Sequence, residues 1–284
     1  MEADSWLFKA LAFYGTRMHH RGQWRLHAQL RRWLNANIDV DLEVVRDGHR
    51  WILNPSDYTE SDLFWLGTRD TWDIFHAKRL LRPNSVIFDV GANFGHYSIT
   101  LADALARNCI VHAFEPFPPN IARLKANIAL NMLEKTIAIH EVGLSDSVGI
   151  GVMTTRIDNS GAATLAETGK TGGSQVAVTT LDDFCFDHNI DRIDFIKIDI
   201  EGYEERLLAG GVDTFRRHQP LVMIELDPPK LLRAGSSVEK LVTQLHQFGY
   251  ALYVADSKSL VPLQVLPIGE NILNAFGISE EVRH

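Results

Sequence analysis

From residue 85 onward, short β-branched and aromatic runs alternate with stretches whose apolar positions recur every three or four residues. That alternation predicts an α/β fold, a mostly parallel sheet covered by helices on both faces. Strands are expected at 86–90, 110–115, 137–142, 195–200, 221–226 and 250–254, with helices at about 96–106, 119–131, 181–188, 203–210 and 238–248. A last apolar run, 271–276, follows through a loop too short for a crossover helix, so it is expected to pair antiparallel with its predecessor. Between 147 and 179 the chain is rich in Gly, Thr and Ser; strand-like 149–154 and 175–179 enclose a loop, 158–173, expected to be mobile and to order over the site when substrate binds.

Ahead of this core, residues 5–34 carry loosely helical apolar positions broken near Gly15 and Gly22, which predicts two short helices. Two strand-like runs around Asp47-Gly48 predict a β-hairpin, and 59–81 reads as helix ended before Pro83. Residues 1–58 are thus an N-terminal helical and hairpin extension, and 59–284 the α/β domain. The helical segment that opens the extension carries Lys9, Arg17, Arg21, Arg25, Arg31 and Arg32 against Glu2 and Asp4. A helical pair docked on the core with a solvated basic face is the ordinary reading, and peripheral contact with a membrane surface the alternative.

Composition narrows the class. Hydrophobic residues make up 45% and charged residues 23% of 284, as in a folded globular protein. A formal charge of −8 would repel a phosphate backbone, which argues against nucleic acid as substrate. Cys109 and Cys185 both lie in apolar segments and read as reduced, buried thiols. With no signal-peptide layout and no apolar run long enough to span a bilayer, a cytoplasmic protein is expected; homo-oligomerisation is left open.

The chemistry gathers at the predicted carboxyl edge of the sheet, where ligands of doubly wound folds bind. The first strand ends in Asp89 and turns through Gly91-Ala92-Asn93-Phe94-Gly95 into a helix. Small residues there allow close backbone approach, and a helix N-terminus offers amides to an anion. The glycines are spaced Gly-x-x-x-Gly, unlike the Gly-x-Gly-x-x-Gly of dinucleotide enzymes. The second strand ends in Glu115-Pro116, where a carboxylate can accept hydrogen bonds from both hydroxyls of a ribose. The fourth carries Lys197, Asp199 and Glu201 on one face if it stays extended, and the fifth brings Glu225 alongside. Either these charges form a structural network or they work on a substrate.

Three segments, 87–98, 113–116 and 194–204, together resemble the FkbM family of class I S-adenosylmethionine-dependent methyltransferases, over about residues 60–276. The resemblance implies a Rossmann-like seven-stranded sheet with its last strand reversed. It implies a cofactor seated on 89–95, with Asp89, Gly91 and Asn93 toward its methionine part and Ala92 and Gly95 in the same turn. Glu115 and Pro116 would flank the ribose, and 142–146, with Gly143 and Leu144, the adenine.

The expected reaction is O-methylation of a hydroxyl on a sugar, lipid-linked glycan or polyketide-type acceptor. Asp199 would be the general base, Glu201 and Glu225 would orient the acceptor, and Lys197 would hold the carboxylates ionised. Three converging carboxylates could also hold Mg²⁺, a reading disfavoured because Lys197 already neutralises part of the cluster. An NAD-dependent oxidoreductase and a non-catalytic adapter keeping the fold are the alternatives.

Overall fold

The computed structural model describes residues 6–17, 23–33, 39–67, 70–156, 159–166 and 173–279. The chain opens with α1 (Trp6–Arg17) and α2 (Gln23–Trp33), followed by a hairpin, β1 (Leu42–Arg46) and β2 (His49–Leu53), around the predicted Asp-Gly turn. The single helix expected over 59–81 is two, α3 (Ser61–Leu66) and α4 (Thr71–Leu80), because Gly67 adopts a left-handed conformation that closes the first. The extension is not a separate body: Leu11, Trp51 and Leu53 share one core with Ile87, Ile99 and Leu124.

The α/β part then runs β3 (Ser85–Val90), α5 (His96–Ala104), β4 (Cys109–Phe114), α6 (Pro118–Leu130), β5 (Ile137–His140), β6 (Gly143–Ser145), β7 (Gly149–Arg156), β8 (Asn159–Ala166), β9 (Ser174–Thr180) and α7 (Leu181–Asp187). It continues through β10 (Phe195–Ile198), α8 (Glu204–Ala209), α9 (Val212–His218), β11 (Leu221–Leu226), α10 (Pro228–Arg233), α11 (Val238–Gln247), β12 (Tyr250–Ala255), β13 (Leu260–Pro262) and β14 (Leu273–Ser279).

The main sheet has the order β13-β12-β14-β11-β10-β3-β4-β5. β5, β4, β3, β10 and β11 run parallel, and β14 is inserted antiparallel between β11 and β12. The seven strands and the reversed last one are therefore as expected, with an eighth added at the edge. There the Asp256 carboxylate accepts from the amides of Lys258 (2.6 Å) and Ser259 (2.8 Å), a tight turn that folds β13 back onto β12.

Two expectations are corrected beside this sheet. The strand expected over 137–142 ends at His140, and the chain passes into a second sheet, β6-β9-β7-β8. Within that sheet the expected loop 158–173 contains a strand, β8, paired antiparallel with β7; residues 158 and 167–172 lie outside the described set.

Alternation splits the sheet between two cores. Phe88, Val90, Ile196, Ile198, Val222 and Ile224 face one, under α7, α8 and α11; Ile87, Phe195 and Met223 face the other, toward α5 and the extension. Asp89, Lys197 and Glu225 keep the parity of this second set, so three charged side chains share one face near the carboxyl edge.

Candidate active site

The β3–α5 turn is built from left-handed residues, Gly91 at φ 78°, Asn93 at φ 51° and Gly95 at φ 95°. The reason for its glycines is internal. A Cβ on Gly91 would overlap the backbone oxygen of Asp199, and one on Gly95 would press on Leu124. Glycine here lets the tips of β3 and β10 touch, which a ligand alone would not require. The amides are committed in the same way: those of Gly91 and Ala92 both donate to Phe114 O (3.0 Å each), and that of Asn93 donates to Glu115 Oε2 (2.9 Å). Ala92 is buried, whereas Gly91 and Asn93 are half-exposed and form the turn's accessible surface.

Asp89 is buried rather than presented to solvent. Its Oδ2 accepts from the backbone amide (3.0 Å) and hydroxyl (2.6 Å) of Ser98, so the carboxylate serves the first turn of α5. Its Oδ1 lies 3.4 Å from Lys197 Nζ, its registered neighbour on β10. Lys197 is only 4% exposed; it also donates to Gly91 O (2.7 Å) and stands 3.6 Å from Asp199 Oδ2. Burial pushes its ammonium pKa down, but Asp199, Asp89 and Glu225 outweigh that and hold it above the usual value. Lys197 therefore stays charged and ties turn, strand and Asp199 together.

Glu115, just past β4, is held at both oxygens: Oε2 by Asn93 N, and Oε1 by Phe117 N at 2.9 Å. Burial raises its pKa to about 7, against the lowering effect of these amides and of Asn120. Pro116 is half-buried beside it. Gly143 is buried in β6 with Val178 and Pro116 around its Cα, while Leu144 lies in the second core, 2% exposed. The segment expected to face adenine thus sets Gly143 against Pro116 and spends Leu144 on packing.

On the other side, β10 ends at Ile198 and the chain turns, with Glu201 at φ 60° and Gly202 at φ 102°. The expected continuous face Lys197–Asp199–Glu201 is therefore broken. Glu201 is instead gathered by Lys230, whose Nζ lies 3.1 Å from Glu201, 2.8 Å from Glu225 and 3.5 Å from Asp227. Burial raises Glu201 to about 7 and Glu225 well above the usual carboxylate range, with Asp199 adding to both. Glu204, also raised to about 7 by burial, accepts from the amides of Ile200 (3.1 Å) and Gly202 (3.2 Å) and fixes the turn. Asp199, at 29% side-chain exposure, is the most open of these carboxylates.

Lys230 and Glu204 are charged residues of this edge to which the sequence alone assigned no role. The signal was present in Asp227-Pro228-Pro229-Lys230, an N-cap followed by proline at the first helical position: Asp227 accepts from the Lys230 amide at 3.0 Å and starts α10. Among the described residues no group of three or more His, Cys, Asp or Glu side chains is arranged to hold a metal ion. The histidines near the edge pack: His112 and His140 share a hydrogen bond of 2.9 Å, and burial lowers both pKa values to about 4. Cys109 and Cys185 are free thiols, both pushed up to about 11 by burial, which disqualifies them as nucleophiles at neutral pH.

Parallel strands in this order, one reversed strand and a charged carboxyl edge define the Rossmann-like fold of class I methyltransferases. The sequence matches the methyltransferase FkbM domain over residues 89–252, and the chain belongs to that family. It is 31% identical over 163 residues to the 31-O-demethyl-FK506 methyltransferase FkbM of Streptomyces tacrolimicus, covering 47% of this chain and 62% of that protein. It is 24% identical over 258 residues to the AMB antimetabolite synthetase AmbE of Pseudomonas aeruginosa, covering 76% of this chain and 12% of that one. The chain thus spans less than two thirds of each of these curated relatives. A solved methyltransferase FkbM structure from Methylobacillus flagellatus KT aligns with a TM-score of 0.47 at 16% identity, over 95% of this chain and 58% of that one.

Proposed function

We propose that this chain is an S-adenosylmethionine-dependent methyltransferase acting on a hydroxyl of a sugar, lipid-linked glycan or polyketide-type acceptor. The observation that carries the reading is the placement, at the strand tips on either side of β3, of the amide-braced Glu115 after β4 and the partly exposed carboxylate of Asp199 after β10. The residues present suit the cofactor: a carboxylate held by two amides keeps lone pairs for a ribose diol, and Gly91 and Asn93 leave the turn beside it accessible. Glu115, Pro116 and Gly143 would hold the nucleoside, and Gly91 and Asn93 the amino-acid part, with Asp89 and Gly95 shaping the turn from within. When bound, the cofactor supplies an electrophilic sulfonium methyl.

Asp199 takes the proton from the acceptor hydroxyl as the oxygen–methyl bond forms. Lys197 fixes Asp199 in place, while Glu201 and Glu225 hold the acceptor's other polar groups. Five carboxyl groups, Asp89, Asp199, Asp227, Glu201 and Glu225, face two ammonium groups, Lys197 and Lys230, and burial favours the protonated form of the two glutamates. The three aspartates alone outnumber the two cations, which disfavours an anionic acceptor and favours a neutral hydroxyl. The Streptomyces relative, named for methylating a 31-O-demethyl compound, supports oxygen as the acceptor atom. Lys197 and Lys230 occupy the space among these carboxylates that a Mg²⁺ ion would need, so activity should survive EDTA.

Titration calorimetry with S-adenosylhomocysteine and with NAD separates the reading from an oxidoreductase: only the former should bind. Asp199→Asn should retain that affinity and lose roughly 10²–10⁴-fold in turnover on an acceptor found by a mass-spectrometric screen. Normal turnover in the variant would remove Asp199 as base. A chain that binds neither ligand would be the adapter.

A further inference from the structure

The outward face of α1 stands apart from the rest of this acidic protein. At one residue per 100°, Lys9, Phe13, Trp6, Arg17 and Ala10 fall in a continuous arc of about 100°. All five are exposed, Trp6 at 74% and Phe13 at 64%. The opposite arc is docked: Leu11 is buried, its carbonyl oxygen lies 3.3 Å from His27 Nε2 on α2, and a Cβ on Gly15 would run into the backbone of Trp65. The exposed aromatics are therefore not the inner face of an undocked helix. On α2 the same geometry exposes Arg25, Leu26, Gln29 and Arg32 on one arc. Across the two helices there are five basic residues, Lys9, Arg17, Arg25, Arg31 and Arg32, and no acidic one, in a chain of net charge −8.

Exposed Trp and Phe interleaved with Lys and Arg suit the boundary of a bilayer, where the rings enter the acyl margin and the cations meet lipid phosphate. No helix among the described residues is long and apolar enough to cross a membrane. Charge decides the occupant: a second copy of this chain offers a surface with a net negative charge of only −8 spread over the whole molecule, whereas an anionic leaflet presents a dense field of like sign. We infer that the outer faces of α1 and α2 form a docking surface for anionic lipid.

The full chain, spun with vesicles of phosphatidylcholine alone or with phosphatidylserine added, tests this. Co-sedimentation should need phosphatidylserine and fall steeply with added salt. Trp6→Ser with Phe13→Ser should abolish it, and Arg25→Glu with Arg32→Glu should weaken it by roughly fivefold or more per charge. All four side chains are exposed, so unchanged thermal melts of the variants are expected and confirm that the fold is intact. Equal sedimentation with both vesicles, no sedimentation with either, or a wild-type dimer in light scattering that the Trp6/Phe13 variant dissolves would each overturn the inference.

Discussion

At the scale of single residues, Glu115 makes the proposed cofactor site sensitive to pH. Its pKa is raised to about 7 by burial, so near neutrality about half the molecules carry a protonated carboxyl that has lost an acceptor for a ribose hydroxyl. A diol that donates to the carboxylate binds the ionised form, so affinity for S-adenosylhomocysteine should be constant above about pH 8. Below about pH 7 it should weaken towards tenfold per pH unit, as one proton linked to binding requires. Calorimetry across that range checks it, and a flat profile would detach Glu115 from the ribose. Lys230 governs the other half of the site. Removing its ammonium in Lys230→Met leaves Glu201, Glu225 and Asp227 facing Asp199 with Lys197 as the remaining cation of the pair. Asp199 should then hold its proton more tightly. The acid limb of the pH–rate curve should move up by roughly one unit, Lys230→Arg should restore it, and nucleoside affinity should not change. Superimposable curves would reduce Lys230 to a structural cation.

Among elements, the β7–β8 hairpin is the natural candidate for contact with the acceptor, because β7 pairs with β9, which in turn pairs with β6 at Gly143. Replacing the β7–β8 hairpin, cut between Met153 and Gly173, by a short Gly-Ser turn should leave nucleoside affinity intact and raise KM for the acceptor; an unchanged KM would place recognition elsewhere. This hairpin also marks the limit of what could be read from sequence. Strands β3, β4, β10 and β11 were legible because they are largely buried and written as short, mainly apolar runs, each interrupted once in its second half, by Asp89, His112, Lys197 or Glu225. β8, written Asn-Ser-Gly-Ala-Ala-Thr-Leu-Ala, lacks such a run and owes its form to pairing with β7. The short helices α9 and α10 were missed because six or seven residues carry too little periodicity, even though Asp227 and Pro228 announce the second. The site followed the same rule. The residue types at the strand tips were evident, but Asp89's service to Ser98 and the grip of Gly91 on Asp199 depend on three-dimensional register.

For the whole molecule, the buried carboxyls set the pH dependence of stability. Glu60, Glu115, Glu201 and Glu204 are each raised to about 7 by burial, from an ordinary 4.5. Each contributes stability that is full below the unfolded value and lost as pH rises through about 7. His112 and His140, lowered to about 4 from 6.5 by burial, act in the opposite sense, but all except about 0.4 kcal/mol of each contribution is in place by pH 6.5. Above that pH the carboxyls dominate. Tm should therefore fall between pH 6.5 and 8, by about 1 kcal/mol of stability for each carboxyl that ionises in the interval. A Tm that holds or rises would show that these groups are better solvated than their burial implies.

The insertion of β14 between β11 and β12 has a bearing on how the chain matures. Those two strands make no ladder with each other; each pairs with β14 on its inner side. A nascent polypeptide can assemble β5, β4, β3, β10 and β11 early, yet the seam beside β11 stays open until residues 273–279 leave the ribosome. Until then two apolar strands present unpaired backbone, so released chains truncated before residue 273 should be far more prone to aggregate than released chains that extend through residue 279.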